Sequence, residues 1–342
     1  MDTIRFILRR MIHSIFVLFG LSLVIFVISR VVPGDPARMA LGYQAPESVV
    51  EDLRIRMHYR EPLYIQYYYW IRDALSGNFG ESLLTRRPVL DDIKQTYPAT
   101  LELALYGGTF MILGAIILGT ISAHNKDKLI DNVVRVFAYL GVVTPPFVFG
   151  VIFVLVFGFW LGWLPTIGRL DPALDPPTRV TGLLTIDALL AGNLVLFVNA
   201  VLHLAGPSIA MALGGMSQGA RLTRATMSDN LNKDYIAAER ALGIREKTVL
   251  WRFLLKPSLI PTVSILGLDI AAIIGNAFLL EVIYNWPGIS RYGIRAMQAK
   301  DLNAIVGVVL MLGLTFTLVN VIVDVIVGLL DPRIRLTAQR GE

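Results

Sequence analysis

Two short segments of the chain contain residues typical of a phosphate-binding loop or of a hydrolase nucleophile. Each segment lacks some of the residues that its activity requires. Residues 243–248 read Gly-Ile-Arg-Glu-Lys-Thr, which has the Lys-Thr of a phosphate-binding loop but not the glycine that must precede the lysine. Residues 215–219 read Gly-Met-Ser-Gln-Gly, the spacing of a hydrolase nucleophile elbow centred on Ser217. No histidine follows Ser217, so His203 is its only candidate base. An intramembrane serine protease stays an alternative, and small residues four apart also permit close helix packing.

Metal and thiol chemistry have little support in the sequence. The chain contains no cysteine, which excludes disulfides, thiolate metal sites and cysteine nucleophiles. The histidines, His13, His58, His124 and His203, are scattered along the chain. We therefore expect no metal site and no cofactor bound by this chain.

Polar side chains inside an apolar run form a second group of candidates. The run 259–283 contains Asp269, Asn276 and Glu281, and an ionisable side chain in hydrocarbon is costly unless it faces a cavity or a partner. Asp269 and Asn276 are two helical turns apart and share a face, so they are predicted to line or support a translocation path. Glu281 is rotated away from that face, and it is predicted either to gate the path or to make a structural hydrogen bond.

Other spans carry two further polar or bending features. Pro145 and Pro146 lie within an apolar run, where they are predicted to kink the helix and to free backbone carbonyls along a cavity or path. Asn320 and Asp324 lie one turn apart in the last apolar run. We predict that they pack against another helix.

A cationic loop between two apolar runs has the pattern of a folded element. Asp234 is a suitable N-cap for a helix over 235–242, and Gly243 stands where a left-handed residue would end it. A second helix is predicted over 245–255, ended or bent by Pro257. A plain linker has no use for a capped helix with a glycine stop, so we expect this loop to contact something outside the membrane.

The composition predicts an integral membrane protein. Hydrophobic residues make up 55% of the 342 positions and charged residues only 17%, far from the average soluble domain. The net charge of +5 could indicate nucleic acid. The basic residues lie mainly at the ends of apolar runs, however, where the positive-inside rule places them, and we expect no nucleic-acid partner.

Apolar runs long enough to span a bilayer predict an all-α polytopic fold with six transmembrane helices. Arginines precede the first run and follow the last, so both termini should be cytoplasmic and the number of spans even. One loop disagrees with this rule, because Arg291, Arg295 and Lys300 would lie outside with only Asp301 to offset them. The predicted spans are approximately 11–29, 101–122, 136–161, 205–226, 259–283 and 304–330.

The spans divide the chain into predicted regions. Residues 1–30 form the cytoplasmic N-terminus and first span, 31–97 a large extracytoplasmic insert with amphipathic helices, and 98–330 the core. Within the core, 165–204 form an outer loop with a short interfacial helix, and 227–257 form the cytoplasmic loop. Residues 331–342 form a cytoplasmic tail.

Several short motifs, in one order along nearly the whole chain, resemble one family. The loop residues Asp234-Tyr235, Ala241 and Gly243, with Pro261, are similar to the "EAA" coupling loop of ABC importer permeases, in particular the first-permease type of the dipeptide/oligopeptide/nickel family. The other motifs that carry the resemblance are Pro-Gly-Asp-Pro at 33–36, Asn-Phe-Gly-Glu-Ser at 78–82, Arg-Pro-Val at 87–89, Pro-Ala-Thr-Leu-Glu-Leu at 98–103, Leu-Gly-Trp-Leu-Pro at 161–165, Trp-Pro-Gly at 286–288 and Leu-Asp-Pro-Arg-Ile-Arg at 330–335.

The resemblance implies a transport subunit rather than an enzyme. It implies a multi-pass protein of a prokaryotic cytoplasmic membrane, surrounded by lipid and working with a second, homologous permease, two ATPase subunits that bind ATP and Mg²⁺, and an extracytoplasmic solute-binding protein. The solute would be a peptide, an oligosaccharide or a nickel complex. The coupling helix would contact the ATPase through Tyr235, Ala238, Glu239, Ala241 and Gly243. A stand-alone channel or secondary carrier is the alternative within transport.

Overall fold

The computed structural model describes residues 2–31, 36–42 and 44–330, and within these ranges the chain is helical and has no β-strand. The predicted tail 331–342 and most of the Pro-Gly-Asp-Pro motif, residues 33–35, lie outside the described residues. Two segments of the chain, Val154–Trp160 and Val249–Leu254, are π-helical. The helices are α1 (Asp2–Val31), α2 (Pro36–Leu41), α3 (Glu47–Arg56), α4 (Leu63–Leu75), α5 (Val89–His124), α6 (Leu129–Val143), α7 (Pro146–Phe153), α8 (Leu184–Leu190), α9 (Leu194–Asn230), α10 (Asp234–Ala241), α11 (Glu246–Thr248), α12 (Leu255–Ile283), α13 (Ile289–Gln298) and α14 (Leu302–Leu330).

The described helices provide six spans when one bent pair is counted as a single span. The bent pair is Leu129–Val143 with Pro146–Trp160. This number agrees with the six predicted from the apolar runs. The other five spans are Leu8–Arg30, Val89–His124, Leu194–Asn230, Glu246–Ile283 and Leu302–Gly328.

The bend in the third span is sharper than the kink predicted at Pro145 and Pro146. Thr144 and Pro145 are both extended, with ψ of 125° and 144°, because a residue before proline is disfavoured in the helical region. Pro146 then begins α7. Two consecutive extended residues separate the helices, and the chain bends by 111° between them. The predicted continuous span 136–161 is therefore two helices, the first of which begins at Leu129.

Helix α5 begins earlier than the predicted second span, so the predicted boundary at 97/98 falls inside a helix. The predicted core begins at Pro98, but the helix runs through this proline from Val89. Proline lacks an N–H, which leaves the carbonyl of Lys94 without its helical donor. The guanidinium of Arg179 donates to that carbonyl at 2.5 Å and replaces the missing bond.

Helix α9 is also longer than the predicted span 205–226. Asn193 is its N-cap, and the Asn193 side chain accepts a hydrogen bond from the Leu196 N–H at 3.1 Å. The polar residues Asn199 and His203 fall in the predicted outer loop 165–204, but they lie within the helix, where the His203 ring bonds the Asn199 carbonyl at 2.9 Å. The predicted outer loop therefore ends at Asn193, and its predicted short helix is α8.

Helix α9 lies at the centre of the bundle, where it packs against α5, α6, α7, α8 and α12, while α14 packs against α1, α12 and α13. The spacing of small residues on α9 has the predicted packing role, because a Cβ at Gly219 would lie 2.7 Å from the Ala115 side chain of α5. The antiparallel spans define two ends. We call them the insert end (residues 79–103, 165–193 and 284–303) and the loop end (residues 120–135 and 224–259).

Candidate functional site

The predicted coupling helix is present as α10, one residue earlier than expected at each end. Lys233 occupies the N-cap position, and no side chain caps the helix. Asp234, predicted as the N-cap, is instead the first helical residue, where its negative charge still complements the helix dipole.

Gly243 ends α10 in the predicted left-handed conformation, with φ of +73°. The Gly243 N–H donates to the Arg240 carbonyl at 3.0 Å, and the Ile244 N–H donates to the Glu239 carbonyl at 3.3 Å. These two bonds form a Schellman motif, which satisfies carbonyls that a helix end otherwise leaves free. No atom lies within 4 Å of a Cβ built on Gly243, so glycine is required here by the backbone conformation and not by lack of space.

One side chain attaches α10 to the bundle. Ile236 is fully buried and packs in a cluster with Ala123 of α5, Met227 of α9, and Val249 and Leu254 of the return segment, which we define as residues 244–254 between Gly243 and α12. The remaining surface of α10 is mostly open. Exposed residues of this surface, together with the following Leu242, are Tyr235, Ala237, Ala238, Arg240 and Ala241, while Glu239 is half-buried.

The return segment joins α10 to the fifth span without a break. The guanidinium of Arg240 and the carboxylate of Glu246 form two hydrogen bonds across the Gly243 turn, the longer at 3.0 Å. Pro257 was predicted to end or bend the segment, but the helix continues through it into the fifth span. Pro257 lies in the first turn of α12, where proline is tolerated. The span runs over Glu246–Ile283, roughly 57 Å at 1.5 Å per residue.

An ion pair that the sequence analysis missed fixes the loop end of the bundle. The carboxylate of Asp131, fully buried at the start of α6, accepts two hydrogen bonds from the Arg224 guanidinium of α9, at 2.6 and 2.7 Å. It also accepts from Ser122 of α5 at 2.5 Å. Asp131 and Arg224 are opposite charges at the ends of two apolar runs, which is a signal of an ion pair. No local pattern in the sequence shows that these two residues pair with each other.

The structure places Asp269 and Asn276 on one side of α12, as their spacing predicts. Asn276 is exposed on the surface of the chain. Asp269 lies halfway along the helix and is half-buried, and its Oδ2 has no hydrogen-bond partner among the described residues. A Cβ at Gly215 would lie 3.3 Å from that oxygen, so Asp269 borders the contact between α12 and α9. Their role in a path stays a prediction.

Glu281 has the geometry of the structural alternative. It is fully buried at the end of α12, and its carboxylate accepts hydrogen bonds from the Thr100 hydroxyl and from the Arg291 N–H at 2.8 Å. The Thr100 hydroxyl in turn accepts the Ile289 N–H at 2.8 Å. A Cβ at Gly288 would overlap the carboxylate. Glu281 therefore fastens the first turn of α13 to α5 and α12.

A second buried carboxylate at the insert end, Glu102, was not predicted. It accepts hydrogen bonds from the Arg169 guanidinium at 2.5 Å and from the Thr185 N–H and hydroxyl at 2.7 Å. The indole of Trp286 is fully buried and donates to the Ala99 carbonyl at 2.9 Å. Motifs 98–103 and 286–288, far apart in the chain, thus meet at this end.

The site of the protease alternative is not formed. Ser217 is fully buried in the middle of α9, and a Cβ at Gly141 of α6 would overlap its hydroxyl. A nucleophile elbow requires a turn between a strand and a helix. His203 lies on the same helix, fourteen residues earlier, which is roughly 21 Å along the axis.

Among the described residues, no group of three or more possible metal ligands comes together.

The fold and the loop define a polytopic membrane component with an exposed, glycine-terminated helix at one end, and comparison with known proteins agrees. Residues 115–336 match the family described as "Binding-protein-dependent transport system inner membrane component", and residues 3–104 match the N-terminal component of such proteins. The chain belongs to this family. It is a permease subunit of an ABC importer and not an enzyme.

Curated relatives extend along nearly the whole chain. The sequence is 37% identical over 320 residues to the probable D,D-dipeptide transport system permease protein DdpB of Escherichia coli K12, covering 94% of each protein. It is 34% identical over 328 residues to the dipeptide transport system permease protein DppB of Alkalihalophilus pseudofirmus, covering 96% of this chain and 98% of that one. It is 29% identical over 332 residues to the glutathione transport system permease protein GsiC of Escherichia coli K12, covering 97% and 99%.

Proposed function

We propose that this permease moves a peptide or a similar small solute across a prokaryotic cytoplasmic membrane. The proposal rests on one observation above all. An exposed short helix, α10, is attached through buried Ile236 to three spans and continues through the Gly243 turn into a helix that crosses the bundle. Relatives named for dipeptides and glutathione support peptides as the solute class.

The proposed orientation places the loop end and both termini in the cytoplasm. The region 221–256 at this end carries eight Lys or Arg residues against four acids, which favours the cytoplasmic side. The insert end is then extracytoplasmic.

The proposed partners are a second homologous permease, two ATPase subunits that hold ATP and Mg²⁺, an extracytoplasmic solute-binding protein and the surrounding lipid. Helix α12 supports the second permease as a partner. One of its faces is exposed along three turns and includes the small residues Ala272 and Gly275 beside Leu268 and Leu279. Small residues let membrane helices approach closely, so this face suits a helix of another subunit.

We infer the following division of roles in coupling. Tyr235, Ala238 and Ala241 present an aromatic and two small side chains to the ATPase, and Glu239 and Gly243 hold the Schellman turn that sets the angle of α10. Motion of the ATPase then acts on α10, and α12 carries that motion towards the insert end as a rigid body. Asp269 and Asn276, which also lie on α12, offer polar groups to the solute. The break at Pro145 and Pro146 separates α6 from α7.

Association with the ATPase tests this function. The tagged permease is purified from its native membrane as wild type, as Tyr235→Ala and as Tyr235→Phe, and bound proteins are identified by mass spectrometry. We expect a second permease and ATPase subunits with wild type and Tyr235→Phe. Tyr235→Ala should retain much less ATPase, since truncating a buried interface aromatic commonly costs about 2 kcal/mol or more. A wild-type chain that purifies without any ATPase would favour a stand-alone channel or carrier.

A further inference from the structure

The insert end contains a solvent-open cleft whose size suits a small molecule. It lies between the start of α5 and the exposed side of α13 and has a volume of about 700 Å³, within the range typical of ligand pockets. Three arginines line it, Arg87, Arg291 and Arg295. Uncharged polar side chains beside them are Gln95, Thr96 and Gln298.

The positive charge of this cleft is only partly compensated by the described residues. Asp92 is the acid among its lining residues, and its buried carboxylate accepts hydrogen bonds from Arg87 at 2.5 Å and from Tyr292 at 3.0 Å. The Arg291 guanidinium donates to a neutral acceptor, the Asn285 carbonyl, at 3.2 Å. The Arg295 guanidinium has no hydrogen-bond or ion-pair partner in the part of the chain that the structure describes. Arg295 therefore lacks a direct counter-charge there, and Arg291 is bonded only to a neutral carbonyl.

Nearby acids compensate the charge of the cleft only in part. The charge of the Glu281 carboxylate acts on Arg291, but the carboxylate is hydrogen-bonded to Thr100 and the backbone of α13 and not to a guanidinium of the cleft. Asp301, which the sequence analysis set against the basic residues of this loop, is fully buried and accepts hydrogen bonds from Ser82 at 2.6 Å and from the Leu84 N–H at 3.1 Å. Both carboxylates serve the packing of the insert end.

Arg291 and Arg295 also repel each other. Arg291 and Arg295 lie one turn apart on α13, whose opposite side packs through Ile289, Tyr292 and Ala296, and like charges at this spacing destabilise a helix. Partial burial, and secondarily the charge of Arg295, lower the pKa of Arg291, and the charge of Glu281 opposes this shift without cancelling it. An anion bound between them would relieve the repulsion, and guanidinium groups pair well with carboxylates.

We propose that this cleft binds a carboxylate group of the solute before the solute enters the bundle. The inference rests on the proposed function, because peptides carry a terminal carboxylate. The cleft adjoins the end of α12 through Pro287 and Gly288, so a solute held there lies next to the helix that carries Asn276 and Asp269. Gln95, Thr96 and Gln298 can hydrogen-bond the amide groups of the same solute.

Direct binding tests the proposal. The intact permease–ATPase complex is placed in lipid nanodiscs without binding protein, and the affinities of alanylalanine and of its C-terminal amide are compared by saturation-transfer NMR. We expect the free acid to bind about tenfold tighter than the amide, because the amide lacks the charge-assisted hydrogen bonds. The double variant Arg291→Gln/Arg295→Gln should lose this preference. Arg72→Gln, which changes an exposed arginine paired with Asp73 outside the cleft, should keep it.

Three results would overturn the proposal. They are equal affinities for the acid and the amide, no binding of either, and an unchanged preference in the double variant. An acidic side chain of the binding protein is another source of a carboxylate. If the double variant weakened association of the binding protein and left the dipeptide signal as in wild type, the cleft would be a docking site. ATP-driven uptake by the wild-type complex with all its partners is measured separately, and its absence would count against the proposed function.

Discussion

At the scale of single residues, two carboxylates of α12 differ in what holds them. Glu281 is fully buried and accepts bonds from a hydroxyl and a backbone N–H of neighbouring elements, whereas Asp269 has a buried oxygen without a partner among the described residues. The first arrangement stabilises the fold. The second leaves an acceptor free, which is the property expected of a group that meets a solute.

This difference predicts opposite effects of two substitutions. Glu281→Ala should lower the free energy of unfolding by about 1–3 kcal/mol, because the Arg291 N–H and the Thr100 hydroxyl lose a buried partner. Asp269→Asn should leave stability nearly unchanged and reduce transport. Thermal unfolding in detergent and uptake in proteoliposomes measure the two effects. A stable Glu281→Ala protein with impaired uptake would instead identify Glu281 as a gate.

At the scale of elements, α10 and its turn act as one rigid unit, because the Schellman bonds and the Arg240–Glu246 pair join the helix to the return segment. Gly243 makes this geometry accessible. A β-branched residue in the left-handed region costs roughly 1–2 kcal/mol, whereas asparagine tolerates it. We expect Gly243→Val to reach the membrane at normal levels and to lose solute-stimulated ATP hydrolysis, and Gly243→Asn to retain it. Equal hydrolysis by both variants would show that the angle of α10 is unimportant.

The sequence predicted the elements well where the signal was local. The helix α10, its glycine stop and the bend at two prolines follow from the preference for glycine after a helix and from the fixed geometry of proline, whereas the N-cap predicted at Asp234 is not formed. The lengths of α5 and α9 did not follow. Proline inside a helix normally ends or kinks it, but here a distant arginine, Arg179, supplies the bond that Pro98 omits, and no local pattern shows that partner. Asn199 only lowers helix propensity, and it lies within α9.

At the scale of the whole molecule, the orientation is open to a clean test because the chain has no cysteine. Single cysteines at Asp127 and Lys247, exposed at the loop end, should react with a membrane-impermeant maleimide only from the cytoplasm. Cysteines at Glu81 and Asp175, exposed at the insert end, should react from outside. Labelling of Lys247→Cys from outside would contradict the proposed orientation, in which the loop end is cytoplasmic.

The buried networks at the two ends could not be predicted from one sequence. Asp131 pairs with Arg224, and Thr100 with Glu281, across separations of 93 and 181 residues. Such pairs depend on how the spans pack, and although the small residues at 215–219 indicate that α9 packs closely, the sequence does not show that its partner there is Ala115 of α5. The sequence did identify Glu281 and the exposed face of α10 as candidates, and the structure supplied their neighbours.

Cross-linking from α10 tests most directly whether this helix is the contact with the ATPase. Ala238 is exposed on α10 and the chain offers no competing thiol. The intact complex carrying Ala238→Cys is treated with a short bifunctional cross-linker that joins a cysteine to a lysine, and Glu81→Cys at the other end serves as control. We predict a covalent adduct between the permease and an ATPase subunit from Ala238→Cys and none from Glu81→Cys. An ATPase adduct that forms from Glu81→Cys and not from Ala238→Cys would contradict the assignment of α10 as the coupling helix.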